Sequence, residues 1–118
     1  MSTAVTFYHN PRCSKSRETL ALVESMGIKP QVIEYLNTPP SVAELAQLLS
    51  ALGFEDARQL IRTKDELYQQ LGLANPELSQ VQLLQAMHEN PKLIERPIVV
   101  AGNKARLGRP PEQVKEIL

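Results

Sequence analysis

One cysteine, no surplus of charge and no long apolar run: these scarcities narrow the chain's function before any motif is read. Cys13 is the single cysteine among 118 residues. It cannot close an internal disulfide, and it rules out a cysteine-based metal cluster within one chain. If Cys13 does redox chemistry, a thiol from outside must complete the cycle. Thirteen Lys and Arg balance thirteen Asp and Glu, so overall charge offers no attraction for nucleic acid or an anionic membrane. An anion site must therefore be a local cluster. No apolar stretch approaches the ~20 residues that span a bilayer. Met1-Ser2-Thr3-Ala4-Val5-Thr6 lacks the basic region and apolar core of a secretion signal, so a cytoplasmic location is the default expectation. Two isolated histidines, His9 and His88, bring no clustered ligands and give no metal site.

What is present describes a globular domain. Hydrophobic residues make up 42% and charged residues 22%, which excludes a disordered chain, and the length suits one ordinary core. Ala4–Tyr8 reads as a buried strand ending at the His9-Asn10-Pro11 turn. A helix follows from Ser14, with Leu20, Val23 and Met26 on one face and Gly27 as its breaker. Gln31–Leu36 is a second strand, making a β-α-β unit with a parallel pair. Pro39-Pro40 marks the start of a helical block. Ser41-Val42-Ala43-Glu44 fits a capping box ahead of the Leu45, Leu48, Leu49, Leu52 stripe, closed by Gly53. A shorter helix is expected over Asp56–Ile61, and Ser79-Gln80-Val81-Gln82 opens another, to about Glu89. Two short β runs around Gly102-Asn103 predict a hairpin, and Pro110-Pro111-Glu112 a final helix.

The cysteine lies in His9-Asn10-Pro11-Arg12-Cys13-Ser14-Lys15-Ser16-Arg17. A structural cysteine is a small hydrophobe with apolar neighbours; this one is surrounded by cations, hydroxyls and turn formers, directly before a helix. Unpaired N–H groups and the helix dipole at that position favour a thiolate, and equally an oxyanion. The bland alternative is a cysteine that happens to lie in a polar turn. Ser16 stands where the second cysteine of a Cys-x-x-Cys pair would be, so an adduct on Cys13 could form but not resolve internally. The Ser14 and Ser16 hydroxyls could bond the sulfur or a bound oxyanion. His9 could tune the thiolate or be a structural partner. His88 is expected to be exposed and without a role.

The stretch Tyr8–Arg17 resembles the active-site segment of the glutaredoxin-linked arsenate reductases, the ArsC family. Tyr35–Ser41, Leu60-Ile61-Arg62, Tyr68–Leu73, Arg96–Val100 and Arg106–Pro110 are similar to the family's successive signatures, in order and over nearly the whole chain. The resemblance implies an α/β, thioredoxin-like fold: β-α-β, then β-β-α, as one domain over residues 1–118 with a helical insertion at about 41–90. It implies Cys13 as nucleophile, with Arg62, Arg96 and Arg109 binding the oxyanion and stabilising the transition state. Arginine suits that task because it offers planar, permanently charged donors, although each could instead be a solvated surface residue. Arg58, Arg106 and Lys104 are read as solvated. Pro97 is the candidate cis-proline. The implied activity is reduction of arsenate to arsenite through a covalent Cys13 adduct. Glutathione serves as co-substrate and glutaredoxin as reductant, with no bound cofactor, no metal, and nothing requiring more than a monomer. Two alternatives stay open. A glutathione-dependent thiol oxidoreductase would use the same Cys13, and a thiol-sensing regulatory adaptor has relatives with this fold but usually needs the cysteine that Ser16 replaces.

Overall fold

The computed structural model describes residues 4–118, so three of the six residues read for a secretion signal, Met1, Ser2 and Thr3, lie outside the described residues. The chain packs as two compact units, one formed by the chain up to Thr38 together with Arg96–Leu118, the other by Pro39–Glu95.

The first unit is built on a four-stranded sheet. Strand β1 is Val5–Tyr8, helix α1 Ser14–Ser25, β2 Gln31–Ile33, β3 Ile98–Ala101 and β4 Lys104–Leu107. The order across the sheet is β2-β1-β3-β4. β1 runs parallel to β2, with Phe7 opposite Val32, and antiparallel to β3, with Phe7 opposite Val99. The β3–β4 hairpin closes at Gly102, whose φ is 64°, while Asn103 keeps a negative φ. Glycine in the first central position is the pattern of a II′ turn, which matches the twist of the strands. Val5, Phe7, Val23, Val99, Ala101 and Val114 form the core between the sheet, α1 and the C-terminal segment.

Three expectations need correction here. β2 ends at Ile33 rather than Leu36, because the Glu34 carbonyl accepts the N–H groups of Asn37 and Thr38 and turns the chain. The last element, Pro111–Glu116, is a 3-10 helix. The inward face of α1 also differs from its apolar stripe: Ser16, Thr19 and Val23 are buried, Leu20 is half-buried, and Met26 is 40% exposed. Two hydroxyl residues therefore occupy positions that amphipathicity would give to hydrophobes.

The second unit is helical. Helix α2 is Val42–Leu52, α3 Glu66–Gln70 and α4 Gln80–Glu89, with 3-10 turns at Ala57–Leu60 and Pro91–Leu93. Ser41 and Glu44 close the expected capping box reciprocally at 3.1 and 3.0 Å, and Ser79 with Gln82 does the same. Gly53 ends α2 in the left-handed region at φ 77°, where a side chain would be strained. α3 was not legible, because five residues are too few for a helical period to show. Three residues read as solvated or inert are tied down instead. Arg58 donates from Nε to the Leu73 carbonyl and from Nη2 to the Asn75 carbonyl. His88 is half-buried and its Nδ1–H donates to the Pro40 carbonyl at 2.9 Å. In the first unit Arg106 pairs with Glu116 at 2.8 Å. Lys104 is exposed, as read. No helix among the described residues is long and apolar enough to cross a membrane.

Candidate active site

Cys13 is the N-cap of α1, with extended backbone (φ −94°, ψ 123°), and is half-buried. The loop before it is fixed by its own polar groups. The Cys13 N–H donates to the Asn10 carbonyl at 3.0 Å, and the Arg12 N–H donates to the Asn10 side-chain oxygen at 3.0 Å. Arg17 reaches back from α1 to donate to the Pro11 carbonyl at 2.9 Å. Its charge is thereby used to hold the loop, while Lys15 pairs with Glu18 at 3.5 Å.

Ser16 is completely buried, and its hydroxyl is engaged by groups other than the sulfur. It accepts the Asn10 N–H at 3.0 Å and lies 2.7 Å from His9 Nδ1, which leaves the hydroxyl hydrogen available for that nitrogen. His9 is buried at the end of β1, edge-on to Phe7 with ring centroids 5.5 Å apart. Burial pushes its pKa below the ordinary 6.5, with a further push from Arg17 against opposing pulls from Glu34 and Glu24. Neutral His9 and Ser16 thus form a buried clasp between strand and helix.

The sulfur is tuned by other groups. Burial would raise its pKa, but the Ser16 N–H, the Arg96 charge, the Lys15 N–H and an Arg96 hydrogen bond together lower it below 9.0. The sulfur closes no full capping hydrogen bond. The N–H groups of the first helical turn nonetheless point toward it closely enough to favour the anion. Ser16 contributes through its main chain, not its hydroxyl.

Arg96 is the second element of the site. It stands two residues before β3, and its bond to Pro97 is cis. Its Nε and Nη1 are buried and make no hydrogen bond to any described residue. Buried guanidinium N–H groups without acceptors are costly to leave unmade, and their position beside Cys13 suits an anion. The third element, Arg109, stands just past β4, and its Nε donates to the Arg96 carbonyl at 2.8 Å. Hairpin register explains this meeting: Ile98 faces Leu107, and the Gly108 N–H continues the ladder to the Pro97 carbonyl at 3.0 Å. Arg96 and Arg109 therefore leave the hairpin at the same end, thirteen residues apart in sequence.

Arg62 lies in the second unit. Its N–H donates to the Leu93 carbonyl at 2.7 Å, and its Nη1 is 3.5 Å from Asp65. Asp65 also approaches Lys92 at 3.7 Å. Its carboxyl is held below the usual value mainly by the Leu67 N–H, with Lys92 and Arg62 adding to that effect. The charge of Arg62 is accordingly shared with a carboxylate.

Gly108 was missed by sequence reasoning. A Cβ there would come within 2.6 Å of Thr19 Oγ1 and 2.8 Å of both Thr19 Cγ2 and Pro97 Cγ. Only glycine lets the exit of β4 nest between α1 and the cis-proline. A glycine outside any turn, between Leu107 and Arg109, is the signal that could have shown it. Among the described residues no three His, Cys, Asp or Glu side chains group to hold a metal.

A parallel β-α-β unit joined to an antiparallel hairpin, with a cysteine at the first helix's N-cap and a cis-proline opening β3, defines a thioredoxin-like thiol protein. The chain belongs to the ArsC family, whose model matches residues 8–117. It is 56% identical over 115 residues to an arsenate reductase of Haemophilus influenzae, covering 98% of this chain and 99% of that one. It is 58% identical over 118 residues to the uncharacterized protein YfgD of Escherichia coli, covering 100% and 99%. The solved structure of an arsenate reductase from Vibrio cholerae superposes with a TM-score of 0.97 at 58% identity, covering all of both chains.

Proposed function

We propose that this protein is a cytoplasmic arsenate reductase that works through a covalent Cys13 adduct and is resolved by glutathione and glutaredoxin. The observation carrying this reading is the Arg96 guanidinium beside a cysteine of lowered pKa, with two buried nitrogens that lack acceptors. A tetrahedral oxyanion supplies the missing acceptors. Arg109 is tied to the Arg96 carbonyl through its Nε, and Arg109 and Arg62 join the set on the family motif. The Cys13 thiolate attacks arsenic and displaces one oxygen, which leaves as water after protonation; arsenic is still at +V. Donors aimed at the developing charge stabilise that step.

Reduction to +III takes two electrons. A chain with one cysteine cannot give both and end as a thiol. Glutathione and a glutaredoxin thiol supply them together, finishing as a mixed disulfide, while arsenite leaves and Cys13 returns to thiolate. Near-identical shape and charge make phosphate a competitor for the arginines, so selectivity rests on the readier attack of sulfur at arsenic.

The test is arsenate-dependent NADPH consumption with glutathione, glutaredoxin and glutathione reductase, for the wild type and Cys13→Ser. Turnover lost in the variant supports the enzyme and its nucleophile together. Turnover that needs thioredoxin in place of glutaredoxin would overturn the glutathione route. No turnover by folded, reduced protein would leave the thiol oxidoreductase as the better reading.

A further inference from the structure

We propose that the groove between the β1–α1 loop and the turn after β2 is the docking subsite for the resolving thiol, and that it selects a zwitterionic peptide thiol of the glutathione type. This rests on the reading of Cys13 as a nucleophile that an external thiol must resolve. The groove has a volume of about 360 Å³ and is lined by His9, Asn10, Arg12, Glu34, Leu36 and Asn37, among others, all in the first unit. That is within the range of about 300–1,000 Å³ usual for small-molecule sites. One wall is the loop that runs directly into Cys13 and is tied to it by the Cys13 N–H to Asn10 carbonyl bond.

The charges on the walls identify the ligand class. Lys15 and Arg17 are engaged with Glu18 and Pro11. The Arg12 guanidinium and the Glu34 carboxylate take part in no ion pair or side-chain hydrogen bond among the described residues. Both are exposed. A free carboxylate repels arsenate or phosphate, so the groove is not an extension of the oxyanion site. A ligand carrying both an ammonium and carboxylates satisfies both walls: Glu34 receives the ammonium and Arg12 a carboxylate. Leu36 is 40% exposed and offers an apolar contact for the ligand's methylenes. The Asn37 amide, free of side-chain bonds among the described residues, is available for peptide groups.

The test uses the intact protein and mixed-disulfide formation at Cys13, followed by mass spectrometry. The Cys13 thiolate attacks one sulfur of oxidised glutathione, forms the protein–glutathione disulfide and expels one glutathione thiolate, with no other reactant. Neutral hydroxyethyl disulfide is the control, because it reports the intrinsic reactivity of the thiolate. Relative to that control, Glu34→Gln and Arg12→Gln should each slow the reaction with oxidised glutathione about five-fold, the size expected for one exposed charge contact. Oxidised N-acylated glutathione, which lacks the ammonium, should react with the wild type no faster than oxidised glutathione reacts with Glu34→Gln. Equal changes on charged and neutral probes, or full reactivity of the N-acylated disulfide, would overturn the groove assignment. Arsenate turnover is measured in parallel. Turnover without glutathione selectivity removes the groove and keeps the reductase; selectivity without turnover removes the reductase.

Discussion

Ser16→Ala separates the two roles that this serine could play. The hydroxyl is completely buried and serves both the Asn10 N–H at 3.0 Å and His9 Nδ1 at 2.7 Å. Alanine removes one oxygen and leaves two polar groups without a partner. Each buried orphan costs ~1–3 kcal/mol. Asn10 is only half-buried and regains water, so the sum is about 2 kcal/mol. A chain of 118 residues unfolds with an entropy of about 0.25 kcal/mol/K, so Tm should fall by about 8 °C. The lowered Cys13 pKa draws on the Ser16 main-chain N–H, which alanine keeps. Calorimetry should therefore show the loss of Tm, while titration of the thiolate's ultraviolet absorbance still gives a midpoint below 9.0. An unchanged Tm would refute the clasp. A midpoint that climbs to 9.0 with the fold retained would mean that the hydroxyl tunes the sulfur after all.

Other expectations follow from the same geometry. Arg96→Gln removes a charge and a hydrogen bond from Cys13, so the thiolate midpoint should rise, and kcat/KM with arsenate should fall by about 100-fold; an unmoved midpoint would detach Arg96 from the sulfur. Gly108→Ala pushes a methyl group against Thr19 and Pro97, and urea denaturation should register a loss of about 1–3 kcal/mol, partly recovered by adding Thr19→Ala. His9 has a depressed pKa in the fold. Stability should thus be complete above 6.5, the unfolded value, and decline as pH falls toward and through the folded one. A Tm series against pH should show that decline flatten in His9→Asn. Ser41→Ala opens the α2 capping box and should cost about 1 kcal/mol in the same urea assay.

Whatever is written over a few neighbouring residues is legible in the chain itself. Ser41 with Glu44 and Ser79 with Gln82 announce helix starts, because a side chain there can reach an N–H three residues on. Gly27 and Gly53 announce helix ends, and Gly102-Asn103 a hairpin, for reasons equally local. The single cysteine determined that any redox cycle needs a thiol from elsewhere, since electron counting requires no coordinates. What depends on distant segments belongs to the packing. Register between β3 and β4 brings Arg109 to the Arg96 carbonyl. The packing of α1 turns Ser16 and Thr19 inward, where an apolar period would not have put them. The five residues of α3, and the early end of β2 before Glu34, follow from hydrogen bonds that no residue pattern displays. Gly108 is legible as a glycine but not as a contact, because the Thr19 side chain that a Cβ would strike belongs to a helix far earlier in the chain. Local chemistry reaches three or four residues along the chain; the meeting of Arg96 with Cys13 is a property of the fold.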